Sequence, residues 1–237
     1  MTNTLAIAER ELKCFFVSTV AWVIAAGFMT ISGLLFSVIL LNSNEASLRF
    51  LISNLSVILL FVAPFLTMRL LAEEIRMGTV ELLLTKPVRD IEVVLGKFLG
   101  VMGFILAMLA MTLYFPALLF IFGTPDPGPI ATGYLGVVLQ AAAFAAIGLA
   151  VSSTTENQIV AAFISFSINL VLWLSESVSA FVGPTMGAVM KFLSITSHFQ
   201  DFSRGVIDTS HLIFFLSVIA AALFLTYLSL QTRRWRA

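Results

Sequence analysis

The chain has 237 residues, of which 59% are hydrophobic and 11% are charged, and its mean hydropathy is +1.05. Because a soluble domain usually carries about 25% charged residues, this composition excludes a soluble protein and leaves no room for a separate soluble domain. The formal net charge is zero, which argues against a nucleic acid as a partner. The sequence therefore predicts a single all-α membrane domain over residues 1–237.

Six charge-free runs are long enough to form membrane-spanning helices. Each reaches the roughly 18–20 residues that an α-helix needs to cross the hydrocarbon core. A seventh charge-free run, at 177–190, is too short and contains Gly183, Pro184 and Gly187. The predicted spans cover approximately residues 16–41, 51–71, 98–123, 130–152, 157–176 and 210–231.

The lysines and arginines predict the orientation of these spans. With the N-terminus inside, ten of the 13 basic residues lie on the inner side, and only Arg49, Lys191 and Arg204 lie on the outer side. This bias follows the positive-inside rule. We therefore expect a multi-pass protein of a bacterial or archaeal inner (plasma) membrane, surrounded by membrane lipid, with both termini in the cytoplasm.

Residues 3–14, ahead of the first span, have an amphipathic pattern. Leu5, Ala8, Leu12 and Phe15 recur at helical spacing, and the charged residues fall elsewhere on the helical wheel. This pattern favours a short helix lying at the inner membrane interface. The alternative is a cytoplasmic extension of the first span.

The most polar segment of the chain is residues 69–97. It holds ten of the 26 charged residues in 29 positions and lies between two long apolar runs. Its beginning, with Arg69, Glu73 and Arg76 at helical spacing, reads as an extension of the second span. Gly78 is a natural helix break. Asp90 is the predicted N-cap of the helix that becomes the third span, which enters the membrane at Lys97.

Between Gly78 and Asp90 the sequence predicts a second, short helix. Thr79 is suited to cap it, Val80, Leu83 and Leu84 form one apolar face, and Pro87 ends it. A short amphipathic helix between two spans suits the groove of a partner protein. It equally suits the bilayer surface, so the pattern alone leaves both interpretations open.

Two further polar features have both a structural and a functional interpretation. In the turn 153–158, either Ser153 with Glu156 or Thr155 with Gln158 fits a capping box for the fifth span; contact of Glu156 and Asn157 with a cytoplasmic partner is the alternative. Gln140 and Asn169 lie in the middle of spans four and five. Amides in this position commonly bond across helices, and lining of a transport pathway is the alternative.

The segment 177–208 is amphipathic and precedes the last span. Its His198, and His211 just beyond it, are too isolated in sequence to predict a metal site, and solvated or capping roles are expected for them. The sequence has no G-x-x-x-x-G-K-[ST] motif, so the chain is not expected to hydrolyse ATP itself.

Several motifs, in order along nearly the whole chain, resemble the membrane subunits of type-two ABC exporters. The later motifs are similar to the small permeases related to the gliding-motility ABC transporter. These motifs are Glu73-Glu74, Gly78-Thr79, Glu81-Leu82-Leu83, Pro87-Val88, Gly96-Lys97, Ser152-Ser153, Thr155-Glu156-Asn157-Gln158, Ser197-His198-Phe199, Arg204-Gly205-Val206-Ile207-Asp208 and Arg233-Arg234-Trp235.

The resemblance implies an ATP-driven exporter in which a separate ABC ATPase binds ATP and Mg²⁺. It makes the 77–87 segment a cytoplasmic coupling helix and the region before the sixth span a set of short outer-leaflet helices. It also implies a second copy or a paralogue of the permease, and an accessory protein with a periplasmic domain. The residues that it assigns to ATPase coupling are Glu73, Glu74, Gly78, Thr79, Val80, Glu81, Leu83, Leu84, Lys86 and Pro87.

Three other classes of membrane protein are alternatives to this interpretation. An intramembrane enzyme needs a nucleophile–base pair or a metal motif at membrane depth, and the sequence has no H-E-x-x-H or comparable acid pair. An ion- or proton-coupled secondary transporter normally shows ionisable residues within its spans and paired broken helices. That transporter and a non-transport membrane scaffold remain the alternatives to an ABC permease.

Overall fold

The computed structural model describes residues 2–42, 48–79, 88–123 and 125–234. In those residues the chain is all-helical, which confirms the predicted fold class. The helices are α1 (Thr2–Val17), α2 (Thr19–Asn42), α3 (Arg49–Thr67), α4 (Ala72–Arg76), α5 (Asp90–Thr112), α6 (Tyr114–Phe122), α7 (Pro127–Ser152), α8 (Gln158–Ser179), α9 (Pro184–Leu193), α10 (Ile195–Arg204) and α11 (Thr209–Arg234).

Six stretches of the described chain are long and apolar enough to cross a membrane, as the sequence predicts. Two of them combine consecutive helices: α3 with α4, and α5 with α6. These six stretches are Thr19–Leu41, Arg49–Arg76, Asp90–Phe122, Pro127–Ser152, Gln158–Ser179 and Thr209–Thr232.

The central helix is α7, which packs against α3, α5, α8, α10 and α11. About 78% of its most apolar 18-residue stretch is buried, against 22% of the corresponding stretch of α11. Small residues make this position possible, since Gly133 lies against Ile52 of α3 and Gly136 lies against Phe202 of α10. Small side chains let helix backbones approach closely, and van der Waals contact is the main attraction between helices in lipid.

The bundle has two ends, which α7 connects. Near its first residues, Thr132 donates a hydrogen bond to the Phe202 carbonyl of α10, so we name this end the α10 end. Near its last residues, Ser152 contacts the segment that leads into α4, and α4 is tied in turn to α1. We name this the α1 end.

The N-terminal segment forms the predicted helix, α1, which packs along the beginning of α5. Helix α2 starts at Thr19, after an interruption at Ser18, so α1 is a separate helix and not a continuous extension of the first span. Two glycines of α5 allow the close contact: an added Cβ would lie 2.7 Å from Ile7 at Gly96 and 2.5 Å from Glu11 at Gly100. A position of α1 at the membrane interface stays a prediction.

The third span is interrupted at Leu113, between α5 and α6. Pro116 has no backbone N–H, so it cannot bond the carbonyl of Thr112 four residues earlier. The hydroxyl of Tyr134, on α7, donates to that carbonyl at 3.1 Å. A side chain of the central helix therefore satisfies the backbone group that the proline leaves open.

Two predicted helix caps are wrong. The N-cap of α5 is Arg89, whose backbone N–H donates to the Glu92 carboxylate, and Asp90 is the first residue of the helix. The N-cap of α8 is Asn157, whose side-chain oxygen accepts from the N–H groups of Ile159 and Val160. Both segments hold several residues that are able to cap, and only the backbone path selects one of them.

Candidate functional site

The residues predicted to couple to an ATPase lie only partly in the described chain. Glu73 and Glu74 belong to α4, and Gly78 follows it with a φ of +68°, a left-handed conformation that confirms the predicted break. The hydroxyl of Thr79 donates to the Glu74 carbonyl at 3.2 Å. Outside the described residues lie Val80, Glu81, Leu83, Leu84, Lys86 and Pro87, and with them the predicted coupling helix.

A buried ionic cluster joins α4 to two other helices. The ammonium group of Lys97, on α5, lies 2.9 Å from a carboxylate oxygen of Glu11 on α1 and 2.8 Å from one of Glu74 on α4. The Lys97 side chain is only 2% exposed. We name Lys97, Glu11 and Glu74 the Lys97 clasp. The clasp connects three helices that are far apart in sequence through one cation.

The burial of Lys97 makes the clasp sensitive to the loss of either charge. Two carboxylates share one ammonium group, and the second oxygen of Glu74 is buried with no hydrogen-bond partner among the described residues. Removing one partner from a buried ion pair commonly costs about 3–5 kcal/mol, because it leaves an uncompensated charge away from water. A displacement of α4 that kept the clasp intact would therefore have to move α1 and α5 with it.

A break in the helix separates α3 from α4, and Ser152 of α7 stabilises it. Residues 68–71 form turns, so the α-helical bonding does not continue through them. The Ser152 hydroxyl accepts hydrogen bonds from the N–H groups of Leu71 and Ala72, at 3.1 and 3.0 Å, and donates to the Met68 carbonyl at 3.0 Å. One buried serine thus satisfies three backbone groups at the junction, which we name the Ser152 junction.

A cavity of about 1120 Å³ opens beside the clasp, between α1 and the segment 69–79. Its lining includes four acidic residues and four basic residues, so charge is balanced there: Glu9, Glu11, Glu73, Glu74, Arg10, Lys13, Arg69 and Lys97. Arg69 lies over the ring of Phe15, 5.5 Å from its centroid, which holds a second cation at the wall. A cavity with charges of both signs suits a protein surface with complementary charges.

The exposed charges of α1 show ordinary surface behaviour. The Lys13 ammonium group lies 2.6 Å from the Glu9 carboxylate, and it lowers the pKa of that carboxyl group by hydrogen bonding and by charge. Both side chains are exposed, so water and salt screen the pair. This pair therefore serves as a surface counterpart of the buried clasp on the same helix.

The comparison with protein families agrees with this architecture. The model of the family described as ABC-2 family transporter protein matches residues 5–235. The chain belongs to the ABC-2 transporter family. A search of the curated proteins finds no match.

Membership in the ABC-2 family makes the chain a permease component of an ABC transporter and not itself a catalytic subunit. It implies an ABC ATPase as partner in general. Together with the six apolar helices, it also makes the chain an integral multi-pass membrane protein.

The sequence did not predict the clasp or the junction of this ABC-2 permease. In the sequence, Lys97 marks the membrane entry of the third span, and both Lys97 and Ser152 belong to motifs of the family resemblance. One local signal was present: Gly96 and Gly100 flank Lys97 and allow close approach of a second helix. Nothing local identifies that helix, because Glu11 lies 86 residues away in the sequence.

The turn at 153–158 lies at the same end of the bundle. Glu156 and Asn157 are exposed there, and Asn157 has the capping role given above. The hydroxyl of Ser229, on α11, donates to the Ser153 carbonyl at 3.0 Å and ties the turn to the last span. The capping role explains Asn157 structurally, whereas Glu156 presents an exposed carboxylate to the surroundings.

Gln140 and Asn169 lie inside the bundle and outside the lining of the 1120 Å³ cavity. The Ser56 hydroxyl donates to the side-chain oxygen of Gln140 at 2.6 Å, which joins α3 to α7. Asn169 is fully buried on α8, and neither polar atom of its side chain has a hydrogen-bond partner among the described residues. Within the described part of the chain, Gln140 therefore has an interhelical bond and the Asn169 side chain has none.

The two histidines, expected to be isolated, are in contact at the α10 end. The Nδ1 atoms of His198 and His211 lie 2.7 Å apart, and Nε2 of His211 lies 2.7 Å from a carboxylate oxygen of Asp201. Nε2 of His198 lies 2.9 Å from the Phe192 carbonyl oxygen. No group of three or more potential metal ligands occurs within the described ranges. These contacts correct the expectation that both residues are merely solvated or capping.

Proposed function

We propose that this chain is the permease subunit of an ATP-driven exporter and that it receives the motion of a separate ATPase at the α1 end. The Lys97 clasp is the observation that carries the proposal. It connects α4, which leads into the 77–87 segment, to α1 and to the start of the third span. The chain binds no cofactor of its own in this proposal; ATP and Mg²⁺ belong to the partner.

The proposed docking surface has two parts. One is the 77–87 segment, in which Val80, Leu83 and Leu84 supply apolar anchors, and Glu81 and Lys86 supply charge at the rim. The other is the cavity between α1 and residues 69–79, with its charges of both signs. Buried apolar anchors contribute most of the affinity at such interfaces, and rim charges contribute mainly to specificity and association rate. Exposed Glu156 and Asn157 are proposed as a second contact.

The motion is proposed to pass through the Ser152 junction. When the ATPase displaces the 77–87 segment, α4 moves with it because the segment begins directly after Arg76, the last residue of α4. The turns at 68–71 allow α4 to change its angle to α3, while the clasp makes α1 and α5 follow. The second and third spans are thereby moved relative to α7, which opens or closes the pathway.

The arrangement in the membrane follows from the same proposal. The α1 end, which carries most of the lysines and arginines, faces the cytoplasm, so both termini are cytoplasmic and the membrane is an inner membrane. Two permeases, either identical or paralogous, form the pathway between them. The similarity to gliding-motility-related permeases adds an accessory protein with a periplasmic domain as a proposed partner.

Crosslinking tests where the ATPase docks. In a Cys14→Ser background, Arg76→Cys places a thiol at the exposed end of α4, and Val189→Cys places one on the exposed face of α9, near the α10 end. A short bifunctional reagent should join position 76 to the ATPase in the membrane complex and should not join position 189. The proposal fails if position 189 is crosslinked, or if neither position is crosslinked in a complex that still couples ATP hydrolysis to transport.

A further inference from the structure

The histidine contacts form a continuous hydrogen-bonded chain between three helices at the α10 end. The chain runs from the carbonyl of Phe192 on α9, through His198 on α10 and His211 on α11, and back to Asp201 on α10. His198 is also stacked on the Phe214 ring, with the ring centroids 3.9 Å apart. Through His211, which lies in the first turn of α11, the chain joins the two short helices to the beginning of the last span.

The hydrogen-bond partners of the four histidine ring nitrogens determine how many protons the two rings hold. A carbonyl oxygen only accepts, so Nε2 of His198 carries a proton and donates to Phe192. An ionised carboxylate also only accepts, so Nε2 of His211 donates to Asp201. Between the two Nδ1 atoms one hydrogen bond needs one proton. With His198 neutral, that proton belongs to His211, which is then a cation between a neutral ring and a carboxylate.

The 2.7 Å separation between the two nitrogens is a hydrogen-bond distance and not the spacing of two metal ligands. Zinc–nitrogen bonds are about 2.0–2.1 Å long, so two imidazole nitrogens on one tetrahedral zinc ion lie more than about 3 Å apart. The geometry therefore fits a shared proton between the rings.

We propose that His198, His211 and Asp201 form a proton-binding site that holds α9 and α10 against the start of the last span, and that acidification of this side of the membrane releases them. A second proton on the pair would place an N–H on both facing Nδ1 atoms and two cations side by side. The hydrogen bond between the rings would then be lost. On the proposed orientation, this end faces the outside of the cell.

The charged groups around the site agree with a single bound cation. Asp201 accepts from His211, and Asp208, just before α11, adds a second negative charge near that ring. The guanidinium group of Arg204 lies 3.7 Å from Oδ1 of Asp201, whereas His211 bonds to the other carboxylate oxygen, Oδ2. The charged residue of α9 is Lys191, next to Phe192. On α8, the Glu176 carboxylate accepts a hydrogen bond from the Gln200 side chain. Helix α7 contains no charged residue.

The direction of the acid response follows from the environment of His198. Burial lowers the pKa of its imidazole below the ordinary value of 6.5, and the neighbouring His211 adds to this effect, although the Phe192 carbonyl and Asp201 oppose it. The packed ring thus binds a second proton less readily than a released, solvated ring would. The contribution of His198 to the stability of the joint is therefore fully present above pH 6.5 and is lost as the pH falls through the lowered pKa of His198.

Nitrogen NMR of the unaltered chain in nanodiscs tests the proton count directly, because the chain contains only two histidines. With ¹⁵N-labelled histidine at about pH 7.5, three of the four ring nitrogens should be protonated, and one coupling should pass between the two Nδ1 atoms. Two neutral rings, or two rings that titrate independently, would overturn the proposal. This measurement needs no variant to fold.

Hydrogen exchange tests the release. From about pH 7.5 to about pH 5.5, exchange in residues 195–204 should rise about three- to tenfold beyond the intrinsic effect of pH, reflecting the loss of the joining hydrogen bond. His198→Asn keeps an acceptor for His211 but cannot be protonated, so this rise should disappear. Asp208→Asn removes a nearby charge but keeps a side-chain oxygen that can accept from the Ser210 N–H, so the rise should remain. A rise that persists in His198→Asn contradicts the proposal.

Discussion

Lys97 places an almost fully buried cation where carboxylates from two other helices converge, beside the cavity at the α1 end. Such a group is held by its partners and not by solvent. The same helix α1 carries an ion pair of the ordinary exposed kind, between Lys13 and Glu9. Comparing these two lysines distinguishes the effect of burying an ion pair on stability from the effect of an exposed ion pair.

We expect Lys97→Met to weaken the α1 end far more than Lys13→Met. The first substitution leaves Glu11 and Glu74 without their cation in a buried site, a change that commonly costs about 3–5 kcal/mol. The second removes an exposed pair, which contributes about 0–1 kcal/mol. Thermal unfolding in detergent and transport-coupled ATP hydrolysis measure both effects. Equal behaviour of the two variants would show that the clasp has no special role.

Ser152→Ala should destabilise the junction between α3 and α4. It leaves the buried N–H groups of Leu71 and Ala72 without their acceptor, at about 1–3 kcal/mol for each unsatisfied group. Ser165→Ala is the matched control, because among the described residues the buried Ser165 hydroxyl bonds only to the Ala161 carbonyl of its own helix. Hydrogen exchange of residues 68–76 should rise in the first variant alone. Unchanged exchange there would remove Ser152 from the mechanism.

At the scale of elements, the position of α7 depends on residues that have almost no side chain. Gly148 faces Thr67 of α3 so closely that an added Cβ would overlap the Thr67 hydroxyl oxygen and lie 2.8 Å from its Cβ. The Thr67 hydroxyl is itself bonded to the Ala63 carbonyl, and a Cβ cannot rotate away. The contact between α3 and α7 can therefore accept a new methyl group only if the helices separate.

Gly148→Ala should accordingly lower the unfolding temperature of the permease, although alanine is the better helix former. Overpacking of this kind commonly costs about 1–3 kcal/mol. Gly33→Ala, on α2, is the control, because an added Cβ there meets no atom within 4 Å. That variant should be neutral or slightly stabilising. If both alanine variants unfold at the same temperature, the close approach of α3 and α7 does not limit stability.

At the scale of the whole molecule, the two ends of the bundle have different chemistry. The α1 end has the ionic clasp, a charged cavity and the start of the segment proposed to bind the ATPase. The α10 end has the histidine chain, held by short helices packed on α7 and α8. The outermost spans, such as α2 and α11, leave most of their surfaces uncovered by the rest of the described chain.

The proposed coupling predicts that Leu83→Ala combined with Leu84→Ala releases the ATPase or uncouples its hydrolysis from transport. Loss of a buried apolar anchor at such an interface often costs 2 kcal/mol or more, roughly a thirtyfold loss of affinity per anchor. Co-purification of the ATPase and transport in proteoliposomes measure the outcome. Glu81→Ala should be milder and sensitive to salt. Full binding and full transport by the double variant would leave this segment as a surface helix.

The class of the protein, its six spans and the break at Gly78 are all predictable from the linear sequence. Each depends on a local property: the length of an apolar run sets whether a helix crosses lipid, and a glycine takes up a left-handed conformation at no steric cost. The family resemblance rested on motifs in the same linear order. The two N-caps are not predictable from the local sequence. Arg89 contributes only its backbone N–H at the first, and the second lies among several polar residues at 153–158 that are all able to cap a helix.

Which polar residues meet depends on how the helices pack in the folded bundle. Glu11 and Lys97 lie 86 residues apart, and His198 and His211 lie 13 apart, with a chain reversal between them. Ser152 reaches a helix break that lies some 80 residues earlier in the chain. No periodicity within one helix encodes such pairings, because they depend on how α7 places its neighbours. In a bundle that packs through small residues, the pairing of buried charges is set by which helices those residues allow to touch.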